Sequence, residues 1–287
     1  MSQLPQKYKT AADFRRALEN RLKNLSTQER TPLERVRKRV AFDRILARLF
    51  DGQHSQWLLK GGYALEFRLQ NKARTTKDID FSIPEMKGAT AEMILEILRK
   101  EVRKDKGDWF VFLIGAPILE LEQAVYGGWR YPVESRLDNR VFTKFHLDVG
   151  VGDALVSAPE WRKGQEFFSF AGILPPNVAL LPLDQQFAEK IHAYSLPRLE
   201  RPNSRVRDLV DIVLLIDYGL SGKESVQKAL QATFKRRGTH PLPQKLASPP
   251  ENWEARYQKM AEECGVSKKT VQEAFELLSK YWENLFE

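Results

Sequence analysis

KGGYALEFRLQNKARTTKDIDFSI, residues 60–83, is the stretch on which the fold turns. The apolar run WLL at 57–59 leads into it as a short strand, and Gly61-Gly62 then breaks the strand. YALEFRL at 63–69 suits a short helix, and DIDFSI at 78–83 alternates apolar and polar like a strand. Residues two apart on a strand share a face, so Asp78 and Asp80 stand side by side while Ile79 and Phe81 point into a core. Paired carboxylates repel unless a cation bridges them, and oxygen-only ligands suit Mg²⁺ or Mn²⁺. Taken alone, the same Asp-x-Asp pattern also describes a solvated strand end.

Glycines between a strand and a helix let the backbone approach a phosphate, with the N–H groups of the helix start pointing at it. A plain tight turn is the other use of Gly61-Gly62. Between the glycines and the carboxylates runs the basic, hydroxyl-bearing segment Lys72-Ala73-Arg74-Thr75-Thr76-Lys77. Its cations are candidates to pair with triphosphate oxygens.

A third carboxylate comes from VFTKFHLDVGVG at 141–152. Phe145, Leu147, Val149 and Val151 occupy one face of this strand, and Lys144, His146 and Asp148 the other. If it neighbours the Asp78–Asp80 strand, Asp148 joins a metal cluster, where it assists an attacking hydroxyl. The alternative is an exposed acid on an edge strand. His146 reads as a surface residue or a support for a ligand rather than a ligand itself.

Outward from these segments, residues 11–25 and 32–50 read as helices, as does 89–104. Residues 109–114, 118–126 and 140–152 read as strands. After the turn-rich LPPNVALLPLD the chain turns helical, at about 184–196, 204–217, 222–237, 252–264 and 268–285. The expected fold class is α+β: a mixed sheet with flanking helices over 1–175, then a mainly helical unit over 176–287 that completes the site. The Pro175–Pro182 stretch is the expected linker, and HPLPQKLASPP at 240–250 a further break. In 184–196, Phe187, Ile191 and Tyr194 form an apolar stripe with Lys190 off its centre. In 204–217, Val206, Leu209, Val210 and Val213 face inward while Asp208 and Asp211 share a side. Arg207 is four residues before Asp211, the spacing of an ordinary surface ion pair.

The 287 residues carry a formal charge of +8, with 42% hydrophobic and 29% charged residues, the composition of a globular protein. No apolar run approaches a membrane span, the opening MSQLPQKYKTAADF lacks the apolar core of a secretory signal, and Cys264 is the single cysteine. A reduced, cytoplasmic setting without membrane contact is therefore expected, and disulfides and Cys-rich zinc sites are excluded. The positive charge is clustered: Arg15, Arg16, Arg21, Lys23, Arg35, Arg37, Lys38, Arg39, Arg44 and Arg48; then Arg198, Arg201, Arg205 and Arg207; then Lys235, Arg236 and Arg237. Such clusters suit a polyanionic partner, with nucleic acid the commonest.

With these residues in view, residues 60–83 resemble the signature of the AbiEii/AbiGii-type nucleotidyltransferase toxins, members of the polymerase-β-like nucleotidyltransferase superfamily. The spacer of residues 63–77 is longer than the superfamily norm but similar to that of this family. AEKIHAYSLPRLERPNSRVRDLVDIVLL at 188–215 is similar to the family's Lys-and-Asp helical motif, so the resemblance spans roughly 57–215. It implies a polymerase-β-like core, with Asp78 and Asp80 as metal ligands, Lys190 on the nucleotide's phosphates and Asp211 as an essential acid. Within the family the chain looks most like the mycobacterial members that add nucleotides to the 3′ end of tRNA, and HPLP at 240–243 is similar to their histidine-proline segment. In those members a Ser or Thr just before the first metal carboxylate is a phosphorylation site that silences the toxin. The positions here are Thr76 and its neighbour Thr75. Tyr63 departs from the pattern, since a small Ser or Thr usually follows the glycines, and this leaves nucleotide preference open.

The implied reaction is attack of a hydroxyl on the α-phosphate of a nucleoside triphosphate, with two Mg²⁺ ions about 4 Å apart clamping the attacking and leaving oxygens. Asp78, Asp80 and Asp148 hold the metal, Gly61 and Gly62 approach the phosphates, and Lys190 and Arg74 neutralise them. tRNA is the expected acceptor, and a cognate antitoxin the expected partner. Two other readings share the residues: a transferase acting on a protein or a small molecule, and a catalytically silent, basic RNA-binding module.

Overall fold

The computed structural model describes residues 7–52, 55–69, 73–74, 76–121, 124–198 and 203–287. Two helices lead: α1 (Ala11–Gln28), opened by Thr10, whose hydroxyl accepts the Asp13 N–H at 3.1 Å, and α2 (Leu33–Leu49). Then come β1 (Leu58–Lys60), α3 (Gly61–Leu69), β2 (Ile79–Ile83), α4 (Ala91–Val102), β3 (Phe110–Ile114), β4 (Leu119–Glu120), β5 (Gly128–Leu137), β6 (Arg140–Val151), β7 (Glu160–Lys163) and β8 (Asn177–Leu180). The helical remainder is α5 (Leu183–Ser195), α6 (Val206–Tyr218), α7 (Lys223–Arg237), α8 (Glu254–Cys264) and α9 (Val271–Phe286). Thr270 and Glu273 close a reciprocal cap at the start of α9.

The strands form one mixed sheet in the order β3-β5-β6-β2-β1-β8-β7, with β4 beside β5. β2 and β6 pair in parallel, as do β1 and β8, while β1–β2 and β5–β6 are antiparallel. Period-two alternation sends Ile79, Phe81, Leu147 and Val149 into a core with Phe14, Val40, Ile45, Ile94 and Leu98 from α1, α2 and α4. The opposite sheet face carries the polar partners of that alternation. A second core, built on Phe187, Ile191, Leu209, Val213, Leu230, Tyr257 and Leu278, unites α5 to α9. No helix of the described residues is long and apolar enough to cross a membrane.

Three findings correct the sequence reading. The Pro175–Pro182 stretch contains β8, a strand buried between β1 and β7; the flanking prolines mask a four-residue strand whose Val178, Ala179 and Leu180 are buried. Of the strand expected over 118–126, the described residues form Leu119–Glu120, both exposed and paired with β5 on one side. The N-terminal basic cluster is not all surface. Arg39, Arg44 and Arg48 are buried, and Arg48 grips Asp108 through two hydrogen bonds of 2.9 and 2.6 Å. Arg44 pairs with Asp43, and Arg39 with Glu29. Buried guanidinium groups persist where a carboxylate repays their desolvation, so these cations stabilise the core instead of facing a polyanion.

Candidate active site

β1 passes directly into α3 at Gly61, whose φ of +66° lies in the left-handed region. A Cβ at Gly61 would stand 2.0 Å from Asp80 Oδ2, and one at Gly62 would stand 2.8 Å from Arg74 Nη2 and 3.0 Å from Thr76 Oγ1. The absence of both side chains lets the strand-to-helix turn lie against the Asp80 carboxylate. The Gln186 side-chain amide donates to Gly61 O at 2.6 Å and holds the turn in place. Gly61→Ala is expected to destabilise the chain by about 1–3 kcal/mol, since it adds both a clash and a strained φ. Urea unfolding checks this, and an unchanged midpoint would contradict the close approach.

Strand register sets the centre of the site. Asp80 of β2 is paired on one side with Lys60 of β1 and on the other with Asp148 of β6, and Asp148 is paired with Arg130 of β5. Residues in register share a face, so four strands present the row Lys60, Asp80, Asp148, Arg130. Arg130 donates from Nε and Nη2 to the two oxygens of Asp148 at 2.7 and 2.6 Å, and its Nη2 lies 3.7 Å from Asp78 Oδ2. His146 Nδ1 stands 3.1 Å from Asp78 Oδ1, placing it as a support for that acid. Burial pushes the Asp80 carboxyl up to about 6, and the charge of Asp148 adds to this, while Lys190, Lys60 and Arg74 offset part of it.

The helical unit supplies a second layer. Lys190 of α5 reaches Asp208 and Asp211 of α6, each at 2.8 Å. Arg74 grips the fully buried Asp211 through hydrogen bonds of 2.9 and 3.0 Å. Burial opposes the charge on Lys190, but Asp208 and Asp211 outweigh it and hold the ammonium above its ordinary range. Burial likewise opposes ionisation of Asp211, yet Arg74 and Lys190 hold its carboxyl below the usual range. The Arg207–Asp211 surface pair expected from helical spacing does not form, because Asp211 turns inward to Arg74 and Lys190 while Arg207 is exposed.

Sequence reading overlooked several residues here. Lys60 hydrogen-bonds Asp153 and lies 3.9 Å from Glu189; Arg237 closes the group at 3.5 Å from Asp153 and 3.6 Å from Glu189. Asp153 follows β6, so only the fold brings it under Lys60. Arg130 was within reach, since Tyr131, Val133, Ser135 and Leu137 alternate as buried positions of β5. Thr75 lies outside the described residues, as do Lys72 and Arg201 of the basic clusters.

Beside Asp78 opens a cleft of about 610 Å³, with Lys38, Lys77, Arg130 and Lys144 among its lining groups alongside the apolar Leu113 and Pro132. Among the described residues no group of three or more acidic, His or Cys side chains is set as a ready-made metal cage. Asp78 and Asp80 supply oxygen-only donors, the chemistry that suits a hard divalent cation. Asp148, the register partner of Asp80, accepts from Arg130 through both of its oxygens.

Comparison with known proteins bears on this geometry. The family model described as nucleotidyl transferase AbiEii toxin, type IV toxin–antitoxin system, matches residues 44–280. No curated protein matches the chain. Among solved structures, the chain is similar to MenT4, a nucleotidyltransferase toxin from Mycobacterium tuberculosis H37Rv, with 20% identity and a TM-score of 0.54 over 97% of this chain and 98% of that one. At that identity the likeness establishes the fold. The antibiotic-resistance factor ANT(2″)-Ia also aligns, at 17% identity over 70% of this chain and 93% of its own, but its TM-score of 0.38 carries no argument. The matched family model spans both the sheet and the helical unit, with Asp78, Asp80, Asp148, Lys190 and Asp211 inside it, and the chain belongs to the AbiEii family of nucleotidyltransferase toxins of type IV toxin–antitoxin systems.

Proposed function

We propose that the chain transfers a nucleoside monophosphate from a nucleoside triphosphate to the 3′ end of tRNA, and that Asp78 and Asp80 hold the Mg²⁺ (or Mn²⁺) this requires. The observation that carries the reading is the Gly61–Gly62 turn seated against the Asp80 carboxylate. A phosphate chain laid on that turn meets backbone N–H groups and the acid-held metal at once. When bound, the ion polarises the α-phosphate and stabilises charge on the leaving pyrophosphate. Lys190, kept protonated by Asp208 and Asp211, supplies a fixed positive charge to the phosphates, and Arg74 orients the same acid from the other side. Extension of the tRNA end would block aminoacylation and arrest growth, and the cognate antitoxin that such a system implies would relieve this.

The acceptor assignment draws support from the net charge of +8 and from the lysines of the cleft beside Asp78. The direct test incubates the protein with Mg²⁺, total tRNA and each α-³²P-labelled triphosphate in turn. Label on tRNA is the expected result. Label only on protein or on small molecules would overturn the acceptor, and no label anywhere would favour a silent binding module.

Thr76 is the proposed control point. Its hydroxyl is buried beside Gly62, and its side chain and N–H both face Glu66, the N–H donating at 3.3 Å. A phosphate there adds up to about two negative charges next to Glu66 and the Asp78–Asp80 pair, which opposes triphosphate binding. Thr76→Glu is expected to lower transfer at least about tenfold, and Thr76→Val to leave it nearly intact. Equal activity of the two variants in the label assay would remove the electrostatic explanation.

A further inference from the structure

We infer that this site works with one divalent cation instead of two, because Arg130 claims the third carboxylate and stands where a second ion would be held. The inference rests on the nucleotidyltransferase reading of the same site. A two-ion site clamps the attacking and leaving oxygens between cations about 3.5–4 Å apart, and each ion would need carboxylate oxygens free to hold it. Here the three acids are Asp78, Asp80 and Asp148; Asp78 meets His146 through one oxygen, whereas Asp148 is held by a guanidinium through both. Both oxygens of Asp148 already accept from Arg130, at 2.7 and 2.6 Å. The same guanidinium lies 3.7 Å from Asp78 Oδ2, so it stands between two acids that a second ion would have to join.

The sheet fixes the backbone of Arg130 opposite Asp148, and two hydrogen bonds hold its partly exposed guanidinium on that acid. Arg130 and Asp148 are register partners on the antiparallel strands β5 and β6, and Asp148 and Asp80 are register partners on β6 and β2. The planar fork of an arginine matches a carboxylate through two parallel bonds, which a lysine in its place could not do. The charge count agrees. One divalent ion and one guanidinium neutralise three acids, so in the nucleotide-free site a second ion would bring two positive charges that no further carboxylate of this row balances. Two bonds to Asp148 leave three of the five N–H donors of the guanidinium for other partners, so Arg130 also offers a fixed positive edge toward the cleft it lines.

The test is metal counting on the full-length chain. Mn²⁺ is added with and without a non-hydrolysable triphosphate, bound ion is counted by equilibrium dialysis, and electron paramagnetic resonance reports whether neighbouring ions are spin-coupled. The wild type is expected to show no spin-coupled pair under either condition and, without nucleotide, one ion per chain. Asp148→Asn should keep that ion and Asp80→Asn should lose it. Arg130→Gln, by freeing Asp148, should admit a second ion and a coupled spectrum. A coupled pair in the wild type, loss of the ion in Asp148→Asn, or an uncoupled single ion in a folded Arg130→Gln protein would each overturn the inference. If circular dichroism shows Arg130→Gln unfolded, the wild type and Asp148→Asn decide the matter alone. Failure of label transfer to tRNA with this Mn²⁺ pattern intact would count against the acceptor and leave the one-ion site standing. An Asp80→Asn protein that binds Mn²⁺ like the wild type would sink both.

Discussion

Asp80→Asn is expected to lower nucleotidyl transfer at least about 10³-fold while the chain remains folded, since a lost metal ligand removes several kcal/mol of transition-state stabilisation. Asp80 is the acid against which the Gly61 turn is built. The effect on stability should run opposite to that on activity. Burial and the neighbouring Asp148 raise the folded-state carboxyl from 3.8 to about 6. A raised acid favours the folded state while protonated, so its contribution is full below about pH 4 and is lost as the pH rises through about 6. In EDTA at pH 8, Asp80→Asn should therefore be more stable than the wild type, by on the order of 1–3 kcal/mol, and the difference should fade toward pH 4. Thermal unfolding at the two pH values, alongside the label assay, reads both effects. A variant that keeps its turnover would remove Asp80 from the chemistry. One that loses stability at pH 8 would contradict the electrostatic account of the site.

Asp211→Ala is expected to be the most destabilising change in the site, by about 3–5 kcal/mol, because it strips Arg74 of its bidentate partner and leaves Lys190 with one acid instead of two. Asp211 is wholly buried and accepts from Arg74 through both oxygens while Lys190 lies 2.8 Å away. Removing it leaves Lys190 with Asp208 and leaves Arg74 without its bidentate partner. Lys190→Ala should cost much less stability, since Arg74 still neutralises Asp211, yet it should lose transfer nearly as completely. At roughly 2–4 °C per kcal/mol for a chain of this size, the Asp211→Ala melting point should fall by on the order of 10 °C. Comparing Asp211→Ala, Arg74→Met and the double variant measures the coupling; additive losses would show that the pair does not act as a unit.

The residues of the site were legible to different degrees. Alternation in DIDFSI and VFTKFHLDVGVG assigns faces locally, and the buried Ile79, Phe81, Phe145, Leu147 and Val149 match that assignment. Helical spacing did the same for Phe187, Ile191, Val206, Leu209, Val210 and Val213. Arg130 was missed because Pro132 and a run of mixed charges obscured a strand whose inward positions alternate regularly. The basic N-terminal helices misled in part, since composition counts Arg44 and Arg48 as surface charge and cannot see Asp43 and Asp108 neutralising them inside the core.

What the sequence by itself determined is the local content of this protein: which segments become strands and helices, which side of each is apolar, and that glycines, a basic spacer and an Asp-x-Asp pair follow one another between residues 60 and 83. Backbone periodicity is a short-range property, so a few neighbouring residues suffice to reveal it. Only the tertiary structure decided that β6 lies parallel to β2, that Arg130 meets Asp148, and that Asp211 serves Arg74 and Lys190 instead of Arg207. Those pairings join segments up to 137 residues apart. They are selected by the burial of whole faces and the desolvation of charges, energies that no local window of sequence contains.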